Sequence, residues 1–193
     1  MNPVKLITPS TLTPVTLPEA KAHLKVTVSD EDTLIQTYLD AAIKRVENHR
    51  QAPVMSSEWE LYLRAWQSNV NLQKHPVTAI NSVKYYDEDN VLQTVTSSDY
   101  RLQDFRVPCR LEFDSTDFDN PSTADREYPI VVNFQAGYTY AASANYALIK
   151  QVIFGELGTF NEIKQTEMAG MGLVNVQMKN MSIDLLDSES MWL

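Results

Sequence analysis

The stretch VKYYDEDNVLQTV, residues 83–95, sets Asp87, Glu88 and Asp89 in one unbroken run between two segments rich in Val and Tyr. Read as a cation loop, it would hold the densest ligand set in the chain. Read as a turn, it makes its flanks a β-hairpin. A calcium loop of the EF-hand kind needs oxygen ligands at alternate positions, Gly at the sixth and Glu at the twelfth. Counted from Asp87, those positions hold Leu92 and Ser98, so the pattern fails at both. Asp and Asn in a tight loop are explained by local hydrogen bonds to the backbone and by tolerance of left-handed conformations. The four residues DEDN suit a hairpin loop between strands over Ile80–Tyr86 and Val91–Thr96. The segment is therefore expected to be a solvated acidic tip in an antiparallel β region.

Other β signals lie on both sides of it. From Ser57, the residues Trp59, Leu61 and Leu63 alternate with Glu58, Glu60, Tyr62 and Arg64, the period of a half-buried strand. Tyr100–Gln103 and Arg110–Phe113 read as short strands, and YPIVVNFQAGY supplies the most apolar one, Ile130–Phe134, ending at Gly137. About five strands at this spacing predict a small antiparallel sheet or sandwich. The second acidic run, DSTDFDNPSTADRE over 114–127, carries Pro121 and many small polar residues; it reads as an exposed loop and fails the same calcium count.

Helical signals bracket this region. After a stretch holding Pro3, Pro9 and Pro14, Thr16 and Glu19 have the spacing of a capping box, and Pro18 falls in the first turn, where a missing N–H is harmless. A short helix is expected over about 17–26. Ser29 and Asp32 repeat the capping spacing before DTLIQTYLDAAIKRVENH, where Leu34, Ile35, Tyr38, Leu39, Ala42, Ile43 and Val46 recur at three and four residues. Lys44, Arg45, His49 and Arg50 suit the carboxyl end of that helix, and Pro53 should end it. A last helix is expected over about 145–160, with Ala147, Leu148, Val152, Ile153 and Leu157 on one face. The fold class is thus α+β: N-terminal and C-terminal helices packed together, an inserted antiparallel β-rich region and an extended C-terminal arm. The expected segments are an N-terminal arm over 1–15, a helical part over 16–53, a β-rich insertion over 54–140, a C-terminal helical part over 141–165 and the arm over 166–193.

The arm, TEMAGMGLVNVQMKNMSIDLLDSESMWL, holds five of the seven methionines. Gly170 and Gly172 weaken a helix; Val174, Val176 and Met178 then alternate with polar residues, and Met181, Ile183 and Leu185 alternate in the opposite phase. That pattern predicts an extended segment with a bulge or bend. Flexible thioethers and an aromatic anchor suit a groove on another subunit, so Met178, Met181, Ile183 and Trp192 are the candidate partner-binding residues. The alternative is a last strand or helix docked on its own domain.

Composition excludes several classes of function. The 193 residues are 44% hydrophobic, enough for a core without disulfides or metals. The single cysteine, Cys109, cannot form an internal bridge, and the first residues lack the apolar run of a secretory signal, which points to synthesis in a reducing cytoplasm. No run of apolar residues is long enough to cross a membrane. With 16 basic and 25 acidic residues the net charge is −9, which argues against strong binding to a phosphate backbone. His23, His49 and His75 have no ligand-spaced neighbours, and no phosphate loop, nucleophile elbow or zinc-protease motif occurs. Cys109 has no nearby His and reads as a buried, inert thiol. No catalytic residue, cofactor or metal is assigned.

Five pieces in order carry a resemblance: PVTLPEAKAHLKV, DEDTLIQTYLDAAIKRVEN, the strand WELYL, HPVTAINSVKYYDEDN with SSDYRL, and VVNFQAGY followed by a helix. Over residues 14 to about 160 the chain resembles the head-to-tail connector proteins, also called adaptor or head-completion proteins, of tailed bacteriophages. It departs from that pattern where NHRQA stands in place of a Thr-Gly-Arg turn, and after Phe160, where a basic helix end is missing. The resemblance implies a structural virion protein of the neck, without catalysis, forming a homo-oligomeric ring, usually of twelve copies, below the portal protein. The genomic DNA would pass through the ring with weak, non-specific contact. A downstream neck, stopper or tail protein would dock on it, and the C-terminal arm could reach the portal as well as a neighbour. Two alternatives stand beside this reading: a cytoplasmic protein- or glycan-binding module using the β insertion, and a hydrolase with a dispersed site.

Overall fold

The computed structural model describes residues 2–114, 126–139 and 144–168. Two compact units divide the chain, Met1–Leu12 with Met55–Thr139 and Thr13–Val54 with Tyr140–Leu193. The first is a β unit, the second a helical unit. Together they make the mixed α+β fold expected from the sequence.

In the β unit, strands β1 (Val4–Thr8), β2 (Ser57–Leu63), β4 (Val77–Tyr86), β5 (Leu92–Thr94) and β8 (Ile130–Ala136) form a five-stranded sheet in the order β1-β2-β8-β4-β5. Strands β3 (Asn69–Asn71), β6 (Tyr100–Gln103) and β7 (Arg110–Phe113) form a three-stranded sheet in the order β3-β7-β6. Every ladder is antiparallel. The most apolar strand of the sequence, β8, takes the central place: Trp59 faces Phe134 from β2, and Ile80 faces Phe134 from β4. Period-two patterning turns Ile130, Val132, Phe134 and Ala136 inward, where all four are fully buried. They share one apolar cluster with Leu61, Leu63, Val83 and Tyr85 of the same sheet and with Val70, Leu111 and Phe113 of the smaller one. Trp66 meets both Tyr85 and Phe113 edge-on, at centroid distances of 5.2 and 5.5 Å.

Strand β8 ends at Gly137, whose φ of 114° lies where side chains are rarely tolerated. A Cβ there would stand 2.4 Å from the carbonyl oxygen of Met55, so the close approach of the two chain segments requires glycine.

The helical unit holds α1 (Leu17–Leu24), α2 (Asp32–Arg50) and α3 (Ala144–Met168), packed on one another. The capping box at Thr16 forms: the Glu19 carboxylate accepts the Thr16 backbone N–H at 2.9 Å and its hydroxyl at 3.0 Å. Helix α1 stops at Leu24 because Lys25 turns left-handed, and α2 ends the same way at Gln51, two residues before Pro53. Ser29 does not cap α2. Glu31 occupies the cap position, and Asp32 instead ion-pairs with Lys21 of α1. Of the apolar stripe on α2, Ile35, Leu39, Ala42 and Val46 are buried, Tyr38 and Ile43 half-buried, and Leu34 exposed. On α3, Ile149, Val152, Ile153 and Leu157 are buried, whereas Ala147 is exposed.

Candidate partner-binding surfaces

The acidic tip is a turn whose side chains serve its own backbone. Asp87 Oδ1 accepts the N–H of Asp89 at 3.1 Å and of Val91 at 2.9 Å, and Oδ2 accepts the Gln93 amide at 2.7 Å. The Gln93 bond, and after it the two backbone bonds, hold the Asp87 carboxyl below its ordinary value. Asn90 supplies the left-handed residue with φ 60°. The Arg126 guanidinium lies 3.6 Å from the centroid of the Tyr86 ring and donates to Asn90 Oδ1 at 3.2 Å, which braces the hairpin from the side. Among the described residues no group of three or more His, Cys, Asp or Glu could hold a metal ion. Of the second acidic run, Asp114 pairs with Arg101 and Glu127 with Arg64, while 115–125 lie outside the described residues.

The outward face of the five-stranded sheet is polar and internally bonded. Thr8 Oγ1 donates to Glu58 at 2.7 Å across β1 and β2, and Asn81 Nδ2 donates to Asn133 Oδ1 at 2.7 Å across β4 and β8. The hydrogen bond from Thr8, then one from Asn133, lowers the Glu58 carboxyl. Tyr62 donates its phenol proton to Glu60, and that bond, with desolvation behind it, pushes the phenol up to about 12. Beside the end of β1 lies an open cleft of about 330 Å³ lined by Thr8–Leu12, Ser56–Glu58, Gln135 and Thr139. Its lining has hydroxyls and one carboxylate but no His, Lys or Cys. That set can hydrogen-bond a partner.

Three features of the β unit present apolar surface. The β6–β7 hairpin tip holds Phe105, 78% exposed, beside exposed Val107. The β4–β5 loop exposes Val91, and Leu92 at the start of β5 is exposed beside it. The edge strand β1 exposes Leu6 and Ile7. Cys109, next to the first of these, is buried, with Sγ 3.9 Å from the Asp104 carbonyl.

In the helical unit the polar groups tie helices together. Lys150 of α3 donates to Glu19 at 2.6 Å, and this bond, then the Thr16 backbone N–H, lowers the Glu19 carboxyl. Tyr146 donates to the Pro14 carbonyl at 2.8 Å. Arg45 of α2 reaches Glu156 of α3 at 3.0 Å, and Glu156 is only 3% exposed. His23 stacks on Phe154 at 4.7 Å, so this histidine is exposed packing surface rather than a ligand. The sequence reading missed Glu156. Its position among Ile149, Val152, Ile153 and Leu157, on the apolar stripe, was the available signal.

The candidate binding residues Met178, Met181, Ile183 and Trp192 lie outside the described residues, as does the arm beyond Met168.

The described residues thus make a helical bundle and a two-sheet β unit with bonded polar surfaces and exposed apolar tips. A family model, the phage gp6-like head-tail connector protein, matches residues 14–115. The chain belongs to that family, and its role is that of a structural connector. No curated protein matches the sequence. The fold is similar to a chain in the virion of a native gene transfer agent particle, with a TM-score of 0.71 and 21% identity over 96% of this chain and 93% of that one. It is also similar to a chain in the neck of an empty gene transfer agent particle computed with C6 symmetry, with a TM-score of 0.69, 21% identity and the same coverage. A chain in the neck of a native particle computed with C12 symmetry gives a TM-score of 0.68 and 20% identity, over 95% of this chain and 93% of that one.

Proposed function

We propose that the chain forms a homo-oligomeric, dodecameric ring in the neck of a phage-like particle, below the portal protein. In this reading the genome passes through the ring, and a downstream neck, stopper or tail protein docks on it. The observation that carries the reading is the family match over residues 14–115, joined to a fold shared with chains of particle necks computed with C6 and C12 symmetry. A closed ring needs a heterologous interface, one patch meeting a different patch on the next copy. The exposed tips at Phe105 and at Val91 and Leu92 and the edge at β1 are surfaces of the kind such an interface uses. The protein is non-catalytic in this proposal, a reading that the structural family supports.

A net charge of −9 per subunit suits a channel through which DNA must slide, because carboxylates and phosphates repel within a Debye length of about 8 Å at physiological salt. The arm over 166–193 crosses to a neighbouring copy or to the portal, burying Met178, Met181, Ile183 and Trp192 there. An averaged image of the neck should show a ring of subunits of this size beneath the portal; a neck without that density refutes the reading. Micromolar or tighter binding to duplex DNA, with a steep salt slope, would contradict the passive channel.

A further inference from the structure

Strand β1 is an edge of the five-stranded sheet, pairing with β2 on one side and with no described strand on the other. Its ladder fixes which backbone groups point to the open side. Tyr62 donates to the Pro3 carbonyl at 3.0 Å, so Pro3 and Tyr62 are a hydrogen-bonded position. Antiparallel pairs alternate. Lys5 therefore bonds to Glu60, while Val4 opposite Leu61 and Leu6 opposite Trp59 direct their N–H and C=O groups away from β2. The side chains alternate as well: Val4 packs on the apolar cluster, Leu6 lies on the same side but remains 42% exposed, and Lys5 points to the polar face. The open edge thus offers a short template with the pattern apolar, cationic, apolar.

The complementary pattern recurs in β2, β7 and α2, where those residues are already paired or helical, and once outside the described residues. Beyond the end of α3 at Met168, residues 183–185 read Ile183, Asp184, Leu185, which is apolar, anionic, apolar. Laid beside β1, Ile183 and Leu185 fall on the face of Val4 and Leu6, and Asp184 falls on the face of Lys5. Because the triplet is symmetric about Asp184, the match holds in either strand direction. Fully extended, the fourteen residues between Met168 and Ile183 span up to ~50 Å, enough to reach an adjacent subunit. Pro3, Pro9 and the irregularity between Leu6 and Thr8 bound the template, which restricts pairing to one short register.

We infer that Ile183–Leu185 of one copy adds as a strand to the Val4–Leu6 edge of a second copy. Backbone hydrogen bonds would give the affinity, and the Lys5–Asp184 pair the register. This inference rests on the ring-forming reading above and names the acceptor for the arm.

The test is a cross-link in full-length protein assembled into particles. Neighbouring strands lie ~4.8 Å apart, within the Cα separation that a disulfide spans. The double variant Lys5→Cys with Asp184→Cys should therefore give a ladder of covalent multimers on mild oxidation. Mixed particles made from the two single variants should give cross-linked dimers. Adding Leu6→Pro, which removes an outward N–H and leaves the bonds to β2, should lower the cross-linked fraction several-fold. A disulfide confined within single chains places the arm on its own β1 and overturns the inference. Necks that contain the ring but show no cross-link also overturn it, and leave the connector reading intact. Necks without the ring remove both.

Discussion

The two units keep their polar groups in opposite ways. In the β unit the two sheets close on an all-apolar cluster, and the carboxylates stay on the outward face and the loop tips. In the helical unit a carboxylate, Glu156, is buried on the apolar stripe of α3 and answered by Arg45, while Lys150–Glu19 and Lys21–Asp32 link the other helix pairs. Strands are already joined by ladders of backbone bonds, so the side chains between the two sheets are left to supply burial. Helices satisfy their backbones internally, so side chains must fix which helix meets which. This difference predicts that the β unit fails through lost volume and the helical unit through lost charge.

The largest effect should come from volume. Phe134 is fully buried at the centre of β8, and Phe134→Ala should destabilise the protein by about 4 kcal/mol, through lost transfer energy and the cavity left behind. Urea unfolding followed by tryptophan fluorescence measures it, since Trp59 stands opposite Phe134 and Trp66 packs on the same cluster. A loss under 1 kcal/mol would mean that the two sheets collapse around the gap and that the cluster is not the unit's foundation.

Charge comes next. Arg45→Ala leaves Glu156 buried beside fewer compensating groups and should cost about 2 kcal/mol, less than a fully buried pair because Arg45 itself reaches solvent. Arg45→Lys should recover only part of this, the ammonium lacking the guanidinium's planar fork. If Arg45→Ala proves neutral in the same unfolding measurement, other contacts of Glu156 suffice and the contrast between the units weakens.

These two sites also differ in how far the sequence revealed them. Phe134 sits in the run YPIVVNFQAGY, whose alternation states both the strand and its inward face. The hairpin at DEDN was equally legible, because Asp87 and Asn90 act within four residues of themselves. Strand β1 was not: Pro3, Pro9 and Pro14 read as an irregular arm, and only pairing with β2, more than fifty residues away, makes Val4–Thr8 a strand. Edge strands tolerate flanking prolines because one side of the ladder is unused. Ser29 misled for the opposite reason, since its capping spacing was local while the Lys21–Asp32 ion pair that claims the expected partner is tertiary. Glu156 was hidden because a single acid on a helix normally faces water. Family membership was legible from the order of five short pieces; the candidate arm residues, read from alternation alone, lie outside the described residues.

A smaller effect separates the units by pH. Glu19 is held below its ordinary value of 4.5 by Lys150 and the Thr16 N–H. A lowered carboxyl contributes stability that is present above its unfolded value and is lost as pH falls through the folded one. Glu19→Gln should remove about 0.5–1 kcal/mol at neutral pH, an amount limited by solvent exposure, and should flatten the stability profile below about pH 4.5. Helical circular dichroism across an acid series would detect this; an unchanged slope would show that the cap acts without its charge.

The smallest effect lies at the alkaline end and belongs to the β unit. Tyr62 donates to Glu60 on the outward face of β2 and is pushed up to about 12 from 10.0. The sign is opposite to that of Glu19. Below the unfolded value both states keep the phenol protonated and the hydrogen bond contributes in full. Between about 10 and 12 the unfolded chain releases its proton while the folded one retains it, so folding is progressively weakened as pH rises through that window. Glu60→Gln removes the anionic acceptor, which is the leading cause of the shift, and should return the phenol toward 10. Ultraviolet titration of the folded protein should then show one tyrosine ionising earlier than in the parent. Tyr100, raised by burial alone, supplies an internal control that Glu60→Gln should not move. If both tyrosines shift together, the substitution has loosened the whole sheet, and the Tyr62–Glu60 bond is a brace of the β unit rather than a surface pair.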